Sequence, residues 1–415
     1  MIIETASGRL RGTGTAFLGI PYASAARFEP PRPAPPWQDT REAAAPGPAA
    51  PQPASRLERV MGPQQLEQAE DCLSLNVWRP TVAGAAPLPV LVFLHGGGFS
   101  SGSGGFDWYS GATLAQRGDM VVVTVNYRLG ALGYLHLPPV SAGNLGLLDQ
   151  VAALRWVREN IAAFGGDPGA VTVAGQSAGA LSILALLSAP ASSGLFNRAI
   201  LQSTPAGMPP QDPDRASELG RAYLKVLGLA PARAERLREL PVADLLKAQV
   251  ELAHLTARPG DVAPPFQLVA DGELVAADLV RAAGTGGADR AEILMGATRD
   301  EAAAFYDVGE MSERVTESVF VAPMLQLAGV LAERGNPAWL YSFDWHPAGS
   351  PYGACHCIEL PFVFGDPAPW RQAPMLGGEM PAALVAEVQR AWIGFLHRGD
   401  PGWERWTASA HRFTA

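Results

Sequence analysis

Cysteine is scarce in this 415-residue chain. Cys72, Cys355 and Cys357 are the whole complement, so at least one thiol stays unpaired and a disulfide scaffold is excluded. So few thiols fit a reducing compartment. The N-terminus MIIETASGRLRG lacks the basic region, apolar stretch and small-residue cleavage site of a secretory signal. A cytoplasmic protein is the expectation, although a processed form would begin in the same way. Long apolar runs are also missing. The longest, 88–94 and 120–125, have strand length and fall far short of the roughly 18 residues a membrane helix needs, so no membrane span is expected. Positive charge is in deficit, with 31 Lys and Arg against 40 Asp and Glu and a formal net charge of −9. A field of that sign repels polyphosphate and no basic patch offsets it, which excludes nucleic acid as a partner. Lysine is nearly absent, at Lys225 and Lys247 only, and nothing functional follows from that.

What the chain has in quantity is apolar residues, at 48%, with 45 Gly and 37 Pro as backbone punctuation. That Gly and Pro content stays below the level of low-complexity chains, and the apolar fraction is ample for a large core. Leu88–Leu94 and Met120–Val125 are rich in Val and Leu and lack the alternation of half-exposed strands; they read as strands buried on both faces. Between Leu147 and Phe164 the apolar residues recur at three and four, which predicts a helix. Val171–Ala174 reads as a strand, Gly175 as a break, and Ala178–Leu187 as an apolar helix. A further strand is expected at Glu292–Met295. Strands alternating with helices define the α/β class, with a mostly parallel central sheet flanked by helices. Residues 206–290 turn helical and more charged, with amphipathic segments at Ala222–Leu229, Ala232–Leu240 and Val242–Ala253, and read as a compact cap-like insertion within a single domain spanning 1–415. The Pro-rich stretch 26–53 reads as surface loop.

Two Gly-x-Ser-x-Gly matches occur where 45 Gly and 21 Ser predict about 0.25 by chance. Gly175-Gln176-Ser177-Ala178-Gly179 follows a predicted strand and opens a predicted helix, the setting in which a serine is thrust above a sheet on a sharp turn. Gly98-Phe99-Ser100-Ser101-Gly102 runs on into Ser103, Gly104 and Gly105 and reads as flexible loop. Ser177 is therefore the candidate nucleophile. A serine hydroxyl needs a base and donors for the developing oxyanion. His95-Gly96-Gly97-Gly98-Phe99 follows the buried strand 88–94 and matches an oxyanion loop, whose glycines let backbone N–H groups approach the substrate. The residues alone leave the base open among seven histidines and the acid open among Glu301, Asp300 and Asp271.

Taken together these stretches resemble the type-B carboxylesterases of the α/β-hydrolase fold. The resemblance covers nearly the whole chain: GIPYA at 19–23 with Arg27-Phe28, EDCLSLNVWRP at 70–80, HGGGF at 95–99, NYRLG at 126–130, GNLGLLDQVAALRWVRENIAAFGGDP at 143–168, VTVAGQSAGA at 171–180, GATRDEAAAF at 296–305 and GACHCIELPFVFG at 353–365. It implies a serine esterase acting on uncharged carboxylic esters, with Ser177 as nucleophile, Glu301 as acid and His356 as base. The oxyanion donors it implies are the N–H groups of Gly97, Gly98 and Ala178. No cofactor or metal is implied, and the only partner is a small-molecule ester substrate; nothing in the sequence sets the oligomeric state. The same resemblance implies ion pairs of Arg27 with Glu70 and Arg128 with Asp149, leaves Ser203 open as a supporting hydroxyl, and leaves Cys72 without its family partner as a buried free thiol.

Other features were weighed beside these. Cys355-His356-Cys357 invites a metal reading, but contiguous ligands do not wrap one ion easily. In an extended stretch both thiols would also point away from the imidazole. Gln176 stands where cholinesterases carry a glutamate, which argues against a cationic quaternary ammonium substrate. The interval of 55 residues from Glu301 to His356 is short for the family, and a more open acyl or alcohol pocket is the expectation. Phe99, Phe106, Trp108 and Tyr109 either line the entrance or simply pack. Amide or carbamate cleavage, acyl transfer by the same triad, and non-catalytic binding are the alternatives.

Overall fold

The computed structural model describes residues 1–81, 84, 86–258, 260, 262–283 and 291–414. Its centre is a nine-stranded sheet. In chain order the strands are β1 (Ala16–Pro21), β2 (Ser74–Trp78), β3 (Leu88–Leu94), β4 (Val121–Val125), β5 (Gly166–Gln176), β6 (Arg198–Gln202), β7 (Glu292–Thr298), β8 (Trp339–Phe343) and β9 (His411–Phe413). Across the sheet they lie in the order β9-β8-β7-β6-β5-β3-β4-β2-β1. Only β2 runs against the rest, pairing antiparallel with β1 and β4.

The apolar runs are buried on both faces because alternate residues feed two separate cores. Val90, Val92 and Leu94 of β3 and Val121, Val123 and Val125 of β4 join one. Leu91, Phe93 and Val122 join the other. A strand must be hydrophobic throughout to sit between two helical layers. The first face is covered by helices Leu145–Asn160 and Ala178–Leu186, the second by Ala112–Gly118 and Ala382–Arg398. This is the α/β-hydrolase architecture, whose parallel strands all end on one edge. The expected helix over 147–164 is observed as Leu145–Asn160 followed by a tighter 3₁₀ turn to Phe164, where Gly165 ends it in a left-handed conformation.

Between β6 and β7 the described residues include several helical segments separated by irregular chain, and the boundaries shift from those expected. The first helix is Pro213–Val226 rather than 222–229. Asp212 caps it, accepting from Asp214 N at 2.9 Å, and Pro213 fits its first turn. A 3₁₀ run follows at Pro231–Arg238, then the helix Val242–Thr256. Residues 284–290, which the sequence reading assigned to the same insertion, lie outside the described residues. The stretch 26–53 is not wholly surface loop, since it contributes short strands at Arg32–Pro33 and Arg41–Ala43 and buries Ala43, Ala49 and Ala50. One 24-residue helical run, Glu310–Glu333, is long and apolar enough by length and composition to cross a membrane, a property the sequence reading did not single out. It packs Leu327, Ala328 and Leu331 into the core and places Phe320 near the candidate site.

Candidate active site

The parallel register brings the ends of adjacent strands level. Gly175 pairs with Leu94 and Gln176 with Gln202, and Gln202 pairs in turn with Gly296. Whatever follows Leu94, Gln176, Gln202 and Thr298 must therefore emerge along one edge, where ligands of such sheets bind.

Ser177 is the first residue past β5. Its φ of 57° and ψ of −121° are strained for a non-glycine residue, and helix Ala178–Leu186 begins directly after it. The turn is tight enough that a Cβ on Gly175 would lie 2.7 Å from the Gly179 carbonyl carbon, which explains glycine at both flanks. The Ser177 N–H donates to Gln202 O at 2.9 Å, tying the elbow to β6. The loop after β3 lies against it, since a Cβ on Gly96 would stand 3.1 Å from Ser177 Cβ. Gly97 and Gly98 have φ of 116° and 59°. Their N–H groups and that of Ala178 donate to no acceptor among the described residues.

His95 at the head of that loop is fully buried and stacks on Tyr127 with centroids 4.3 Å apart. Its Nδ1–H donates to Gly96 O at 2.8 Å. Burial pushes the ring down to about 4, so it is neutral and serves the loop as a strut.

Glu301 and His356, 55 residues apart, meet in the interior with neither side chain exposed. Glu301 Oε2 accepts from His356 Nδ1, while Oε1 accepts from Thr298 N at 2.8 Å. The backbone repeats the link, His356 N donating to Glu301 O at 3.2 Å. With Nδ1 holding the proton, Nε2 carries the lone pair. Phe305 and Phe320 flank the ring at centroid distances of 5.5 and 5.2 Å. The side-chain nitrogen of Gln176 lies 3.0 Å from Nε2. No hydrogen bond joins Ser177 Oγ to His356 among the described residues.

The other candidates fall elsewhere. Asp300 accepts from Arg299 and from Ala354 N at 2.8 Å, which holds the loop carrying His356. Asp271 accepts from three successive N–H groups, Glu273 to Val275, and from Asn144. Arg27 meets Glu70 through two contacts, at 2.8 and 2.5 Å, and Arg128 meets Asp149 at 2.8 and 2.7 Å. Ser203 has φ of 50° and a buried hydroxyl without a hydrogen-bond partner among the described residues. Phe99 is buried against Tyr134, whereas Phe106, Trp108 and Tyr109 line a cavity.

The stretch around His356 departs from the extended form expected of it. It is a succession of turns with Cys357 at φ 76°, so its side chains do not alternate; the thiol of Cys357 reaches the cavity wall beside Gln176. All three cysteines are buried and free, and burial pushes Cys72 up to about 12 and the other two well above their usual value. Among the described residues no three His, Cys, Asp or Glu side chains cluster to hold a metal. Sequence reasoning missed Glu359. It is fully buried, its Oε1 accepts from Gln202 at 3.3 Å, and Oε2 has no partner among the described residues. Burial first, and the charge of Glu301 second, push it up to about 8, so it is largely protonated at neutral pH. Its place three residues after His356 was the available signal.

The cavity of ≈ 350 Å³ beside the elbow is lined by Gly96, Gly97, Gln176 and Cys357, by the aromatic trio and by Met61; Ser177 and His356 are not among its lining residues. Among the described residues Glu58 is the one charged residue on its wall.

Fold and site define an α/β-hydrolase. The family model of the carboxylesterase family matches residues 1–310 and 306–411, and the chain belongs to that family. It is 43% identical over 431 residues to a Rhodococcus erythropolis protein named probable N-octanoylanthranilate hydrolase AqdA2, covering 95% of this chain and 92% of the relative. It is 37% identical over 450 residues to the para-nitrobenzyl esterase of Bacillus subtilis (strain 168), covering 97% and 91%. A solved PNB esterase structure superposes with a TM-score of 0.90 at 35% identity, over 99% of this chain and 93% of that one. The protein is a carboxylic ester hydrolase.

Proposed function

We propose that the protein hydrolyses uncharged carboxylic esters through an acyl-enzyme on Ser177, with His356 as base and Glu301 as acid. The observation that carries the reading is the buried Glu301–His356 contact, which fixes the proton on Nδ1 and leaves Nε2 to accept one. In this scheme Ser177 Oγ attacks the carbonyl carbon as its proton passes to Nε2. The tetrahedral oxyanion takes the free N–H groups of Gly97, Gly98 and Ala178. As the carbonyl re-forms, the ester C–O bond breaks and the imidazolium gives its proton to the leaving alkoxide. A water, deprotonated by Nε2, then attacks the acyl carbon, and the proton returns to Ser177 Oγ as the acid leaves. Glu301 accepts from Nδ1 throughout and stabilises the imidazolium.

The cavity wall supports an uncharged substrate, being aromatic and amide-lined with one carboxylate at Glu58. The test is a p-nitrophenyl ester series of increasing acyl length, with the wild type and Ser177→Ala, alongside fluorophosphonate labelling of Ser177. Turnover and labelling are expected in the wild type and lost in the variant. Unchanged turnover by Ser177→Ala would overturn the assignment. A second reading, cleavage of N-acyl arylamines by the same residues, is favoured by the name of the 43% identical relative. Octanoyl anilide hydrolysed at a rate near that of octanoyl phenyl ester would put it first.

A further inference from the structure

The lone pair on which the proposed mechanism depends is already occupied. His356 Nδ1 is turned to Glu301, so Nε2 is an acceptor, and the group 3.0 Å away is the amide nitrogen of Gln176. Both residues are buried, Gln176 being 1% exposed and His356 fully enclosed. An amide N–H is a donor and a neutral imidazole nitrogen an acceptor, so the contact is a hydrogen bond. Ser177 Oγ makes no such bond. Proton transfer from Ser177 needs that same lone pair, and one lone pair serves one donor at a time.

Resting on the triad reading above, we propose that Gln176 is a positioning residue that latches the resting site: its amide caps His356 Nε2, and productive ester binding must draw it away before Ser177 can use the imidazole. Gln176 forms part of the wall of the cavity beside the elbow, with Gly96, Gly97 and Cys357, so a ligand that fills the cavity can reach the residue. A group entering there meets the same amide that holds the ring. The residue type is essential to the device. An ionised glutamate at 176 accepts hydrogen bonds only, so it could not cap a neutral nitrogen. Glutamine is long enough to reach and carries the donor. The remaining groups around the ring leave the assignment of the donor intact: Glu301 is engaged on the opposite nitrogen, Phe305 and Phe320 are apolar, and Glu359 is bonded to Gln202.

Breaking one neutral hydrogen bond on binding raises KM and leaves the chemical step untouched. Gln176→Met keeps the volume and removes the donor, and Gln176→Asn keeps the amide but falls short of the ring. Steady-state kinetics with p-nitrophenyl butyrate, referred to active sites titrated with a fluorophosphonate, should give both a KM about two- to tenfold lower at unchanged kcat, the range one such bond allows. A merely structural glutamine would instead lower kcat or the titrated fraction. The latch is overturned if KM does not fall, or if kcat falls with KM unchanged, in the variants that titrate fully. Should Gln176→Met not fold, the asparagine variant decides. Wild-type enzyme that fails to label at Ser177 would sink the triad reading itself, whereas labelled wild type with unmoved variants sinks the latch alone.

Discussion

Gly179 passes so close to Leu94 that a Cβ on it would stand 2.1 Å from the Leu94 carbonyl oxygen. The helix that starts at Ala178 thus crosses the end of β3 at a separation only a hydrogen side chain permits. That crossing sets the distance between Ser177 and the loop beginning at His95. Gly179→Ala should lower stability by about 1–3 kcal/mol through overpacking, and reduce kcat further by moving the elbow. Urea denaturation with p-nitrophenyl ester kinetics checks both; wild-type values in both would contradict the crossing.

Glu301→Gln should keep the fold and lose about 10⁴ in kcat. An amide at Oε2 can present its nitrogen to His356 Nδ1, selecting the wrong tautomer, while the Thr298 N–H still holds the other atom. Far-UV circular dichroism and burst kinetics separate this from unfolding. A loss below tenfold would remove Glu301 from the machinery.

Asp149→Ala should cost about 3–5 kcal/mol. The Arg128 guanidinium would be left buried with no carboxylate, though one of its N–H groups would still reach Glu29 O at 2.7 Å. Arg128→Met with Asp149→Leu should recover much of the loss, since the penalty belongs to the orphaned charge. Chemical denaturation of the single and double variants is the measurement, and an equal loss in the double variant would count against this account.

His95 gives stability a sign with pH. Its folded value of about 4 lies below the usual 6.5, so between these the unfolded chain binds a proton that the folded chain refuses. Stability should therefore fall by roughly 3 kcal/mol in all as pH drops from 6.5 to 4. His95→Phe should flatten that part of the melting-temperature profile. Parallel profiles for variant and wild type would show that His95 is not the group responsible.

Glu359 acts in the opposite sense. Its folded value of about 8 lies above the usual 4.5, so in that window the folded chain keeps a proton the unfolded chain has released, and stability falls as pH rises. Glu359→Gln never ionises. Its melting temperature should gain on the wild type steadily from pH 5 to pH 8, and an unchanging difference over that range would refute the shift.

Much of the fold was legible. Leu88–Leu94, Met120–Val125 and the strand before Ser177 stand out because a strand between two helical layers must be apolar throughout. The helix Leu145–Asn160 stands out because its large apolar residues recur at three and four while Arg155, Arg158 and Glu159 mark its exposed side. Less legible were β8 and β9, short strands near one edge of the sheet, and helix Ala382–Arg398, although Leu384, Val385, Val388, Trp392, Phe395 and Leu396 carry helical spacing. Helix Pro213–Val226 was misplaced because its start is set by the cap at Asp212 and Pro213 rather than by the apolar pattern. The turns around His356 were misread because alternation of side chains is a property of extended chain, and Cys357 takes a left-handed conformation instead.

The amino-acid order alone determined the class of fold, the elbow at Ser177 and the glycine loop at 95–99, because each depends on neighbours within a few positions: apolar periodicity, and glycine where backbone approaches backbone. Which carboxylate meets which imidazole was open on the residues alone and was named only through the family resemblance; the structure supplies the physical reason, strand ends that parallel pairing sets level across the sheet. Gln176 on His356 Nε2 and the protonated Glu359 were decided only in three dimensions. Both depend on burial and on partners far away in the chain, and desolvation is a property of the packed interior that no local pattern carries.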